Sequence, residues 1–262
     1  PCFYINIEPL SEKTIYIKTL NNGLEYVFPV SLYSLKKYNT ENSLISFSKG
    51  VFYGILILTI IFNIFNYVNF RNRLYIYLIL YILGIGLYLF TRDGYATKYL
   101  WYDFPWIVRQ APFFLVMFAA CIMFLFTRSS LETSDNYPKF DKILVSSSAI
   151  VFLILLIGPF TKEPPYIFCN FIVIFACIPV LIVSLLAAIK KGKIFPRYYF
   201  FSIIALISGG MTLIIKNFGI INYETGEAGL KFGITIQILT ISYGLSVMFK
   251  KIFDEVNQPT FI

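Results

Sequence analysis

The sequence predicts an all-α membrane protein: a seven-transmembrane helix bundle preceded by a few β-strands of an extracytoplasmic domain. Three observations predict it. Of 262 residues, 58% are hydrophobic and only 14% charged, whereas a soluble domain is about one-quarter charged. From residue 50 onward, seven long apolar stretches follow one another without a single Asp, Glu, Lys or Arg inside them. Ahead of them lies a segment with a different periodicity.

That segment, residues 1–45, holds short alternating runs rich in Ile, Tyr and Val: FYINI at 3–7, TIYIKT at 14–19 and EYVFPV at 25–30. Turn-formers such as Asn21, Asn22 and Gly23 separate them, which is the strand pattern. Three strands alone bury no core, so they are expected to be the C-terminal part of a larger β-sandwich sensor domain. A chain that opens on Pro1, without an initiator Met or a signal pattern, is expected to lack an N-terminal portion.

A bilayer core of about 30 Å needs roughly 20 helical residues. Spans are expected near 50–70, 74–91, 110–127, 143–160, 166–189, 198–215 and 232–249, within a membrane domain 46–251. Residues 252–262 are expected to begin a cytoplasmic linker. The 28 Phe suit the hydrocarbon, while the 20 Tyr and 2 Trp suit its interface with water. YLWYDFPW at 99–106 sets both Trp residues just before the third span, as an anchoring belt. Pro112 and Pro179 fall within spans, where a lost hydrogen bond kinks a helix. Gly209 and Gly210 let a neighbouring backbone come close.

Charge sets the orientation. One set of connections carries eleven basic residues: Arg71, Arg73, Arg128, Lys139, Lys142, Lys190, Lys191, Lys193, Arg197, Lys250 and Lys251. The alternate set carries six: Arg92, Lys98, Arg109, Lys162, Lys216 and Lys231. Excess positive charge stays cytoplasmic, so the N-terminus is expected outside and the C-terminus inside. The net charge of +8 is thus a topology signal, and no nucleic acid partner is expected.

The sequence has no His, which removes His-based acid–base chemistry and His metal ligands. Cys2, Cys121, Cys169 and Cys177 form no CxxC, and Cys169 and Cys177 would stand about 12 Å apart along one helix. No metal and no cofactor is expected. Intramembrane catalysis and ion coupling call for ionisable groups within spans, and the seven stretches hold none. Lys231 sits at the entrance to the last span and is expected to snorkel to water. The loop acids Asp93, Asp103 and Asp135 are expected to be solvated or paired with Arg92, Lys98 and Arg128.

The polar residues left in the spans are neutral. Asn63 and Asn66 share a face of the first span, and Gln237 and Thr240 share one of the seventh, with Ser242 nearby. All five are candidate interhelical contacts, each contributing on the order of 0.6–2 kcal/mol. They either register a movable helix contact or hold a static one. Beyond Lys251, Ile252, Phe253 and Val256 beside Asp254 and Glu255 fit an amphipathic extension of the last helix, interrupted at Pro259.

Several helix–loop junctions resemble one family in order. These are KGVFYGILILTIIFNIFNYVNFRNRLYIYLILYILGIGLYLFTRDG at 49–94, YLWYDFPW, FLFTRSSLETSDNYPKFDKIL at 124–144, and GLKFGITIQILTISYGLSVMFKKIFDE at 229–255. They resemble the bacterial seven-transmembrane receptors with diverse intracellular signalling modules. The resemblance covers about three-quarters of the chain, and none of its motifs is catalytic. It implies a receptor of the bacterial inner membrane whose outer β-sandwich, likened to carbohydrate-binding jelly rolls, takes a small-molecule ligand. It also implies a cytoplasmic output module, in cis or in trans, such as a histidine kinase, cyclase or phosphatase. Asn63, Arg71, Arg73 and Ser242 match family positions; Gln237 stands where many members have an acidic residue. No output module lies in the 262 residues, so the chain is either a fragment or a member that contacts a separate protein. A homodimer is a further expected assembly. A transporter or channel for an uncharged or lipid-like solute is the rival reading, and a membrane-embedded transferase is a third.

Overall fold

The structure, a computed structural model, describes residues 5, 12–16, 33–157, 166–189 and 194–257. Its elements are α1 (Leu35–Phe70), α2 (Arg73–Arg92), α3 (Tyr95–Tyr99), α4 (Pro105–Leu131), α5 (Thr133–Asn136), α6 (Pro138–Ile157), α7 (Tyr166–Ile189), α8 (Phe195–Asn217) and α9 (Tyr223–Asn257). There is no strand among the described residues. Of the runs expected as strands at 3–7, 14–19 and 25–30, only residues 5 and 14–16 are among the described ones, and these form no strand. Helix begins at Leu35, inside the segment expected to be β, with Ser34 capping it by accepting a bond from the Lys37 N–H.

Among the described residues five helices are long and apolar enough to cross a membrane: Leu35–Phe70, Arg73–Arg92, Gln110–Leu131, Phe195–Lys216 and Tyr223–Glu255. The stretches expected at 143–160 and 166–189 fall on α6 and α7, although residues 158–160 are outside the described set. Large apolar side chains cover the outer faces. Ile57, Leu58, Ile61 and Phe65 on α1, and Ile150, Phe152, Leu153 and Leu156 on α6, are all exposed. Water does not tolerate so continuous an apolar surface; lipid does. Around Tyr99 to Trp106, Tyr99, Tyr102, Phe104 and Trp106 are exposed as an interfacial belt requires.

The helices pack as a ring: α1 on α2, α2 on α4, α4 on both α6 and α7, α7 on α8, α8 on α9, and α9 back on α1. Only Arg71 and Asn72 join α1 to α2. Arg71 takes a left-handed conformation (φ 48°) with its N–H on the Tyr67 carbonyl, and the Asn72 side chain accepts the Leu74 N–H at 2.9 Å. Both helix ends are therefore satisfied within two residues. At this hairpin end Phe70 stacks on Phe249 of α9, with ring centres 5.7 Å apart. At the other end Tyr53 of α1 meets Asp93, and Arg92 meets Glu227 of α9. Leu35 and Asn257 consequently lie beyond opposite ends of the bundle.

Glycines set the tightest seam, between α8 and α9. A Cβ on Gly233 would come within 2.6 Å of the Ala205 carbonyl oxygen and 2.8 Å of the Gly209 Cα. Gly229 sits equally close to Thr212, and Gly244 to Tyr198. Of the pair expected to allow close approach, Gly209 does so, whereas Gly210 faces open space. Pro112 and Pro179 lie inside α4 and α7. Gly233→Leu is expected to cost about 1–3 kcal/mol by overpacking, while Gly210→Ala leaves stability unchanged or slightly raised. Reversible unfolding in detergent or nanodiscs measures both.

Candidate functional site

The uncharged stretches on α1, α2, α8 and α9 are shorter than the helices that contain them. Lys49 lies on α1, Lys216 at the end of α8, and Glu227 and Lys231 on the first turns of α9. The fold brings these ionisable groups together with Arg92 and Asp93 at one end of the bundle. Asp93 follows the last residue of α2, and Gly94 (φ +80°) turns the chain there in a conformation L side chains rarely adopt.

Asp93 is the hub of the first half of the cluster. Lys231 Nζ donates to both carboxylate oxygens at 2.8 Å, and Tyr53 OH donates to Oδ2 at 2.6 Å. Lys49 Nζ stands 3.1 Å from Oδ1. One carboxylate thus ties α1, α2 and α9. Burial alone would raise the Asp93 carboxyl pKa, but the bonds from Lys231 and Tyr53 and the charges of Lys231 and Lys49 outweigh it. The carboxyl is held below its ordinary range.

Glu227 is the second hub. Its Oε1 accepts from Arg92 Nη2 at 2.6 Å and from Lys216 Nζ at 3.1 Å. Arg92 Nη1 donates to Tyr88 OH at 3.1 Å, and Lys216 lies over the Tyr223 ring at 4.5 Å from its centre. Since Glu227 and Lys231 stand one helical turn apart, α9 carries a member of each half. Tyr53 packs edge to face on both Phe90 and Tyr95 beside the site, and those two rings meet at a tilt.

These contacts overturn two expectations. Lys231 does not snorkel to water: its side chain is 12% exposed and bound to Asp93. The loop pairs also differ, because Asp93 takes Lys231 and Lys49 while Arg92 takes Glu227. At the hairpin end Arg128 pairs with Asp141 rather than Asp135, and Thr133 donates to the same carboxylate at 2.6 Å. In each case the partner lies on a different helix, which sequence proximity does not reveal.

The neutral polar residues form a second layer, deeper in the bundle. Asn63 Nδ2 donates to Ser242 Oγ at 2.9 Å, joining α1 to α9. Gln237 accepts from Tyr81 OH at 2.8 Å, joining α2 to α9, and Tyr199 meets Thr127 between α8 and α4. Tyr81, Tyr199 and Thr127 carry no signal in the sequence beyond being polar within a span. Asn66 is buried, and its side chain donates to the Phe62 carbonyl of its own helix at 3.0 Å. Thr240 is half-buried and joins none of these pairs.

The basic residues counted for orientation gather at the hairpin end. Arg71, Arg73, Arg128, Arg197, Lys250 and Lys251 are exposed there, whereas Lys190, Lys191 and Lys193 lie outside the described residues. Among the described residues no cluster of His, Cys, Asp and Glu could hold a metal ion. Cys121 and Cys177 are free thiols.

A helical, lipid-facing bundle with an ionic cluster at one end and an exposed basic collar at the other defines a multi-pass membrane protein. The comparison with known families narrows this. The sequence model described as 7TM diverse intracellular signalling matches residues 45–247, and the chain belongs to that family. No curated protein and no solved structure matches the chain.

Two predictions follow from the geometry. Asp93→Asn is expected to lower stability at neutral pH by roughly 3 kcal/mol, since it leaves buried cations short of their partner. Because the folded-state pKa of Asp93 is depressed, its contribution is full above the unfolded pKa and disappears as pH falls through the folded value. The gap between wild type and Asp93→Asn should therefore narrow with acidification in thermal melts. Separately, a double-mutant cycle with Asn63→Val and Ser242→Ala should return a coupling of about 0.6 kcal/mol and at most about 2.

Proposed function

We propose that the chain is the transmembrane part of a receptor that passes an extracytoplasmic signal to a cytoplasmic output module. Family membership gives the class. The observation that carries the mechanism is α9. It runs unbroken for 35 residues, about 52 Å, against a bilayer core of about 30 Å. One rigid element thereby joins the ionic cluster, through Glu227 and Lys231, to the exposed turns around Lys250 and Lys251 at the far end.

In this reading α6 and α7 cross the bilayer with the other five, giving seven spans. The basic collar faces the cytoplasm, as the charge rule favours. The ionic cluster then faces outward, in the inner membrane of a bacterium, below an outer sensor domain. The 36-residue α1 continues past the cluster toward that domain, so α1 is the input arm and α9 the output arm. They touch through Asp93 above and through Asn63 and Ser242 below. Ligand binding shifts α9 relative to α1 only by the difference in its affinity for the two arrangements. Asn63 with Ser242 and Tyr81 with Gln237 bond from helix to helix, which favours registration of packed helices over lining of a solute path.

Locking the arms tests this. In the full reading frame, Asn63→Cys with Ser242→Cys places two thiols where side chains already meet. Oxidative cross-linking should abolish ligand-dependent output, and a reductant should restore it. Unchanged output in the cross-linked protein refutes transmission through α9.

A further inference from the structure

We propose that Lys49, Arg92, Lys216 and Lys231 form a binding site for a single anionic group, a carboxylate or a phosphate. The binding rests on the geometry alone; its meaning as an input rests on the receptor reading above. Among the described residues the cluster holds four cationic side chains but only two carboxylates, Asp93 and Glu227, and so carries an excess of two positive charges. The one further acid on the same turns, Glu224, is exposed. Excess charge out of water is costly unless a counter-charge joins it. The burial is substantial: side-chain exposure is 6% for Lys216 and 12% for Lys231.

Donors remain to bind such a group. Lys216 has three N–H donors and gives one to Glu227. Arg92 has five, with bonds to Tyr88 OH and Glu227. Lys49 reaches an oxygen of Asp93 that Lys231 already holds. Lys49 and Arg92 are also the most open members, at 26% and 23% exposure, so an anion arriving from solvent or the headgroup layer meets them first. A guanidinium beside an ammonium suits a carboxylate or phosphate in charge and in the spacing of its oxygens. Glu227 competes for the same donors, because its Oε1 takes both Arg92 and Lys216.

The test uses the full chain in nanodiscs at fixed ionic strength, read by thermal unfolding. In one arm the bilayer is phosphatidylcholine and the probe is inorganic phosphate or acetate against chloride. In the other, phosphatidylglycerol replaces part of the phosphatidylcholine and no probe is added. A saturable rise in melting temperature of several degrees in the first arm identifies a soluble anion; a rise only in the second identifies a lipid headgroup. In either case Lys49→Gln should weaken the effect about tenfold, since Asp93 keeps Lys231 and Tyr53 and the fold survives. Glu227→Gln should strengthen it by removing the internal competitor. No rise in either arm, or a rise untouched by Lys49→Gln, overturns the site. Anion binding that leaves output unchanged upholds the site and refutes its role as an input, while the cross-linked pair at Asn63 and Ser242 alone decides transmission through α9.

Discussion

The joining of α1, α2 and α9 at the ionic end of the bundle depends on one carboxylate. Asp93 sits where α2 stops, and the side chains of Lys231, Lys49 and Tyr53 converge on it from α9 and α1. Near lipid, each of those cations alone would be expensive to hold. Together they are tolerable because the Asp93 carboxylate offsets the cost of both ammonium groups. The same logic places Glu227 between Arg92 and Lys216. The polar groups that hydropathy treats as exclusions from the membrane are thus what fastens the helices where hydrocarbon gives way to water.

Below that layer the fastening changes character. There is no hydrophobic drive between helices in lipid, so contact area and hydrogen bonds must hold them together. The chain meets this in two ways. Large rings such as Tyr75, Tyr199, Phe113 and Phe126 fill the interior, and glycines bring α8 and α9 into backbone contact. Buried neutral pairs, Asn63 with Ser242 and Tyr81 with Gln237, fix rotation without introducing charge.

Sequence legibility followed the same division. Membrane helices were legible because lipid imposes a length and an apolarity that each segment satisfies by itself. Asn63 and Ser242 were legible as polar residues where polarity is costly, although their pairing was not. The ionic cluster was hidden because its members lie just outside the apolar windows, on four different helices. Lys231 shows why: next to its own sequence it has only solvent to seek, and its partner is 138 residues away. The Gly226, Gly229 and Gly233 series on α9 was similarly unremarked beside Gly209, which supplies only half the seam.

The unbroken course of α9 has a consequence for its own last turns. An α-helix turns about 100° per residue, so α9 reaches Asn257 with its faces at angles already set by Glu227 and Lys231. Lengthening the helix between Lys231 and Lys250 by one residue would swing those last turns by more than a quarter turn, whereas seven residues would nearly restore their bearing. Spacing within α9, counted in single residues, would therefore govern which face Lys251 and Glu255 present.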